Sequence, residues 1–147
     1  MDLSNDMELY SELKNIKESC EEEAFIKKYV SNDSGIKFHE YLQEYIVRND
    51  LSMATVMNNS RLNKNYGYNI VNGTRKNPGR DKVLALCIGA GMSFDTVQQA
   101  LKLANHPLLD PRNERDIRIA VAINKCINDV IKVNLKLAEN NLEPLHV

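Results

Sequence analysis

The chain has 147 residues, 43% apolar and 27% charged, an ordinary soluble composition for one domain whose core needs neither disulfides nor metal. Its net charge is only −1, and no apolar run approaches the roughly 20 residues that a membrane span requires. The N-terminal residues are acidic and lack the apolar core of a signal peptide, so a protein that stays in the cytoplasm is expected.

Helical periodicity runs through nearly the whole sequence. Leu9, Leu13, Ile16 and Cys20 form an amphipathic stripe behind an acidic face. A short helix is predicted from Glu21 to Val30, with Phe25 and Tyr29 one turn apart, and Asn32-Asp33-Ser34-Gly35 then breaks the pattern. Phe38, Tyr41, Leu42 and Tyr45 share one face of a predicted helix from Lys37 to Arg48. Ser52 is placed to cap a helix carrying Met53, Val56 and Met57, and Asn63 to cap the next, through Val71. Asn72-Gly73 is a helix stop, because glycine takes the left-handed conformation without penalty. Asp81 starts a helix that ends at Gly89-Ala90-Gly91, and Ser93 caps another that ends at His106-Pro107. From Arg115 to Asn140, Ile119, Ile123, Cys126, Val130, Val133 and Leu137 keep heptad spacing, either in one helix or in two broken near Asn128-Asp129. No strand-like alternation and no internal repeat is read, so the expected fold is all-α.

The three cysteines, Cys20, Cys87 and Cys126, contain no Cys-x-x-Cys pair, which argues against a zinc knuckle or redox dithiol. Each is expected to be a small buried hydrophobe. Charge is uneven along the chain. Residues 1–50 carry six basic and twelve acidic side chains, whereas residues 51–82 carry Arg61, Lys64, Arg75, Lys76, Arg80 and Lys82 against Asp81 alone. Local patches rather than whole-chain charge bind nucleic acid. A solvated surface explains a short basic cluster equally well, and charge alone leaves both open.

Three segments sharpen the reading. They are Leu51 to Met57, Leu62 to Tyr66, and Ile70-Val71-Asn72-Gly73-Thr74-Arg75-Lys76-Asn77-Pro78. Together they resemble the phage-repressor-like (Xre-type) helix-turn-helix family, in a divergent bacterial subgroup, over about residues 37–106. The resemblance implies a five-helix core at 36–106, acidic helices before it at 1–35, and a helical extension at 107–147 that packs on the core or forms a dimer interface. It also implies double-stranded DNA as partner. Lys64, Asn65, Tyr68 and Asn69 would then face base edges from a recognition helix. Ser52 and Thr55 would meet phosphates from the preceding helix, and Thr74, Arg75, Lys76 and Arg80 would clamp the backbone.

The sequence departs from the family pattern at several points. Met57 stands where a small residue is usual, Ser60 where an apolar one is, and Arg61 where the turn has glycine. Asn77 adds a residue before the loop proline, and Gly67 replaces an apolar residue. These changes bear on how the third helix is aimed.

No catalytic or cofactor-binding pattern is present. Gly73 and Gly79 do not make a phosphate-binding loop, and His39, His106 and His146 form no ligand pair. The expectation is a non-enzymatic, sequence-specific transcriptional regulator without metal or cofactor, working as a homodimer. The competing expectation is an adaptor that keeps the fold but binds a protein through its acidic N-terminal or C-terminal helices.

Overall fold

Every described element is an α-helix. The computed structural model describes residue 11 and residues 13–29 and 36–147, which fall into two units, one within residues 1–36 and one over 37–147. The first unit holds α1 (Ser19–Tyr29), with Glu21 and Glu22 in its first turn. Leu13 and Cys20 are exposed there and Ile16 is half-buried, so the described part of the N-terminal stripe is not a buried face. Leu9, Val30, the 32–35 loop and the side chains of Phe25 and Tyr29 lie outside the described residues.

The second unit holds α2 (Phe38–Arg48), α3 (Met53–Ser60), α4 (Lys64–Val71), α5 (Arg80–Gly89), α6 (Phe94–Leu103), α7 (Glu114–Asn124) and α8 (Val130–Glu139). Caps set most of the starts. Ser52, Asn63, Ser93, Asn113 and Asp129 each accept a backbone N–H from the first turn of the following helix. The 115–140 stretch is therefore two helices, with Cys126 in the left-handed region at φ 62° ending the first and Asp129 starting the second.

The core is built around α5, whose residues from Val83 to Gly89 are all buried. A helix apolar on all sides must be surrounded, and α3, α6 and α8 pack on it. The tightest crossing is at Gly89, where a Cβ would stand 2.7 Å from the Val56 carbonyl and 2.9 Å from the Ser60 amide. Ser60 is fully buried beside it, donating to the Met57 carbonyl at 2.8 Å and accepting from the Leu62 amide at 3.4 Å. A small residue at 60 thus suits a backbone-to-backbone approach, which accounts for its departure from an apolar type.

The structure also corrects the absence of a repeat. The α5–α6 hairpin and the α7–α8 hairpin are two copies of one unit. Arg80, Asp81, Ala85 and Ile88 recur 35 residues on as Arg115, Asp116, Ala120 and Ile123. After one inserted residue, Val97, Leu101, Asn105 and Leu109 recur 36 residues on as Val133, Leu137, Asn141 and Leu145. Backbone and side chains repeat together. Gly91 and Cys126 both have positive φ after the first helix, as do Asn105 and Asn141 after the second. Gln98 brackets Leu109 through its amide and carbonyl at 2.8 and 3.2 Å, and Asn134 brackets Leu145 at 2.7 and 3.3 Å.

The two copies are locked by reciprocal ion pairs, as in an isologous interface. Arg80 makes a bidentate pair with Asp116 at 3.1 and 2.9 Å, and Arg115 makes one with Asp81 at 3.3 and 3.1 Å. Each arginine also donates to two carbonyls of its own copy's tail: Arg80 to Pro107 and Leu108, Arg115 to Glu143 and Pro144. Each aspartate accepts one further amide at 3.0 Å, from Asp110 or His146. Burial pushes the Asp81 carboxyl upward. Hydrogen bonds from Arg115 and the His146 amide, with the Arg115 charge, outweigh it and hold the pKa below the usual carboxylate value. A lowered folded-state pKa contributes stability that is complete above the ordinary carboxylate range and is lost as pH falls through it.

One further expectation changes. Cys87 is buried, and burial pushes its thiol up to about 12, but Cys20 and Cys126 are exposed. The spacing at Cys126 is helical while its conformation is the left-handed end of α7, which turns the side chain out of the stripe. The remaining stripe residues, Ile119, Ile123, Val130, Val133 and Leu137, are buried within the chain's own core rather than offered as a dimer surface.

Candidate nucleic-acid interface

The two shortest helices, α3 and α4, are joined by Arg61, Leu62 and Asn63. Arg61 has φ 62° and ψ 13°, the left-handed region that glycine fills without cost. Its guanidinium is held by Asp129 through Nε at 3.2 Å and a terminal nitrogen at 3.0 Å. That hydrogen bond raises the Arg61 pKa and lowers that of Asp129, so the pair is charged at neutral pH. The turn therefore keeps the conformation of a glycine turn while tying itself to the start of α8.

The other departures form one matched pair. A Cβ at Gly67 would lie 2.6 Å from Sδ of Met57, which is 1% exposed. The large residue on α3 and the missing side chain on α4 compensate in size, so the helices still pack. Gly67→Ala should accordingly destabilise the native chain by about 1–2 kcal/mol through overpacking. In a Met57→Ala background the same change should stabilise by up to about 1 kcal/mol, the helix preference of alanine over glycine. Urea unfolding of the four variants reads this sign reversal directly.

With Gly67, Ile70 and Val71 turned inward, α4 presents Lys64, Asn65, Tyr68 and Asn69 outward. Gln43 of α2 donates to the Val71 carbonyl and fixes the far end of α4. Thr55, Asn58 and Ala54 of α3 join Met57, Lys64 and Tyr68 around a groove of about 340 Å³. Thr55, Lys64 and Tyr68, singled out by the sequence, thus meet at one opening. Asn58 was not singled out, although it lies one turn after Thr55 on the same face of α3. Ser52 is exposed, and its hydroxyl accepts the Thr55 amide at 3.4 Å.

The following loop is fixed by Gly73, with φ +83° and a would-be Cβ 2.6 Å from the His39 ring, and by Asn72, which accepts the Thr74 amide at 2.9 Å. Thr74, Arg75 and Lys76 are exposed. Arg75 lies over the Tyr66 ring at 4.7 Å and Lys82 over the same ring at 5.6 Å, so Tyr66 is a platform for both cations. Lys82 also donates to the His146 carbonyl at 2.8 Å.

Arg80 needs correction. Its five-donor fork is already engaged by Asp116, Pro107 and Leu108, so it holds the repeat together instead of reaching outward. His106 meets the Pro78 carbonyl with Nε2 at 2.7 Å and braces the same loop. Of the six cations in the basic middle, Arg61 and Arg80 are bound to carboxylates, and Lys82 is turned to the C-terminal tail. Lys64, Arg75 and Lys76 have no carboxylate partner among the described residues. Also among the described residues, no cluster of three or more His, Cys, Asp or Glu side chains is arranged to hold a metal ion, and no helix is long and apolar enough to cross a membrane. No family model, curated protein or solved structure matches the chain.

Proposed function

We propose that residues 37–106 are a helix-turn-helix core and that the chain is a sequence-specific DNA-binding transcriptional regulator, with α4 as the helix that enters the major groove. One observation carries this reading: Lys64 and Tyr68 of α4 meet Thr55 of α3 at one opening, Asn65 and Asn69 are exposed on the same helix, and Lys64 has no carboxylate partner among the described residues. In that arrangement Lys64, Asn65, Tyr68 and Asn69 face base edges, and Ser52, Thr55, Thr74, Arg75 and Lys76 face phosphates. Phosphate contacts supply most of the affinity and base contacts the choice of site.

The charge-reversed pair Arg75→Glu with Lys76→Glu tests it. Both residues are exposed, and the Arg75–Tyr66 contact is worth only about 0.5–1 kcal/mol at such a site, so circular dichroism should show an intact fold. Fluorescence anisotropy with a random-sequence duplex at low salt should show at least about a 100-fold loss of affinity. Affinity unchanged by the reversal would remove this loop from the interface.

A protein adaptor on the same scaffold is favoured by one observation, the binding of Arg61 and Arg80 to carboxylates, which leaves the basic cluster smaller than the sequence offers. Its distinguishing result is no duplex binding at any salt concentration.

A further inference from the structure

We infer that α4 reads A·T base pairs, with Asn65 and Asn69 pairing to adenines and the groove at its start taking a thymine methyl group. This deepens the DNA-binding reading and rests on it. Asn65 and Asn69 are one turn apart on the exposed face of α4. Neither carboxamide has a hydrogen-bond partner among the described residues. By contrast, Asn63 and Asn113 cap helices, Asn72 closes a turn, and Asn134 brackets Leu145.

A carboxamide matches adenine N6 and N7 with one acceptor and one donor, whereas guanine is read by paired donors and cytosine by an acidic acceptor. α4 contains no arginine, aspartate or glutamate. Of the nearby arginines, Arg61 and Arg80 are held by Asp129 and Asp116, and Arg75, in the loop after α4, lies over the Tyr66 ring at 4.7 Å. Lys64, at the first position of α4, is the one cationic side chain of the set. Two asparagines four residues apart are separated by about 6 Å along the helix axis. That spacing corresponds to about two base-pair steps.

The groove adds a second, independent feature. Ala54 and Met57 give it apolar wall, beside Thr55 and Tyr68. The thymine methyl is the one apolar group that a base presents in the major groove. Its removal, by placing uracil for thymine, should be felt if it enters there.

The test is selection of preferred duplexes from a random pool with the full chain, followed by affinity measurements on the selected site. The expected site has A·T pairs about two steps apart. Asn65→Ala and Asn69→Ala should each weaken it by roughly 10- to 100-fold, and weaken a random duplex much less. Uracil in place of the contacted thymine should weaken it by about fourfold, the worth of one buried methyl group. Selection of G·C at those positions, binding without preference, or equal losses on selected and random duplexes would overturn the inference and leave the DNA-binding reading standing. No binding to any duplex at low salt would overturn that reading as well.

Discussion

Replacing Asp116 by alanine should lower the unfolding free energy by about 3–5 kcal/mol, the cost of removing one partner from a buried ion pair. The Asp116 side chain is 8% exposed and that of Arg80 is 21% exposed, so the stranded guanidinium has little access to water. The carboxylate also accepts the Asp110 amide, and its loss releases the Pro107–Asp110 segment between the hairpins. At about 2–4 °C per kcal/mol for a chain of this size, the melting temperature should fall by roughly 10 °C. Thermal unfolding followed by circular dichroism measures it. A shift under 2 °C would mean that the reciprocal pairs do not hold the copies together. Because the Asp116 carboxylate holds Arg80 and the Asp110 amide and no residue of α4, the variant's affinity for DNA at low temperature should stay near native.

The second large effect is expected at Gly89. A Cβ there meets backbone atoms, the Val56 carbonyl at 2.7 Å and the Ser60 amide at 2.9 Å, which a rotamer change cannot relieve. Gly89→Ala should cost about 3 kcal/mol despite the better helix preference of alanine, since α3 must move away from α5 as a body. Gly79→Ala is the control. Gly79 has φ −64°, and a Cβ on it meets nothing within 4 Å, so its effect should stay within about 0.5 kcal/mol. Chemical denaturation separates the two. Equal effects would contradict a backbone-tight α3–α5 crossing.

What could be read from the sequence followed local rules. Ser52, Asn63 and Ser93 act as caps because a short oxygen-bearing side chain before an apolar periodic run has few other uses. The outward positions of α4 came with the family resemblance, and Lys64, Asn65, Tyr68 and Asn69 are exposed. What escaped was set by contacts between residues far apart in sequence. Arg80 reads as one more cation in a basic stretch until Asp116, 36 residues away, is brought to it. Arg61 in a turn position made for glycine reads as a defect until Asp129 is seen to hold it. Met57 and Gly67 are two anomalies in a linear reading and one size exchange in space.

The repeat was hidden for a related reason. Its two copies face different surroundings, so Leu86 is buried under neighbouring helices while its counterpart Val121 is exposed, and the apolar patterns no longer match. The Arg-Asp dipeptides at 80–81 and 115–116 were the visible signal. Dipeptides of charge at helix starts carry little weight unless a reciprocal pairing is already suspected.

The most direct test of the central claim is the salt dependence of binding to a random-sequence duplex. Among the described residues, Lys64, Arg75 and Lys76 are the cations of the basic middle held neither by a carboxylate nor by the C-terminal tail, so the slope of log K against log salt should be about −3 for a single chain. A two-fold assembly on DNA should double it. Binding with such a slope at low salt would support α4 and its loop as a DNA interface. No binding at 50 mM salt, roughly where phosphate contacts are strong, or binding indifferent to salt, would contradict it.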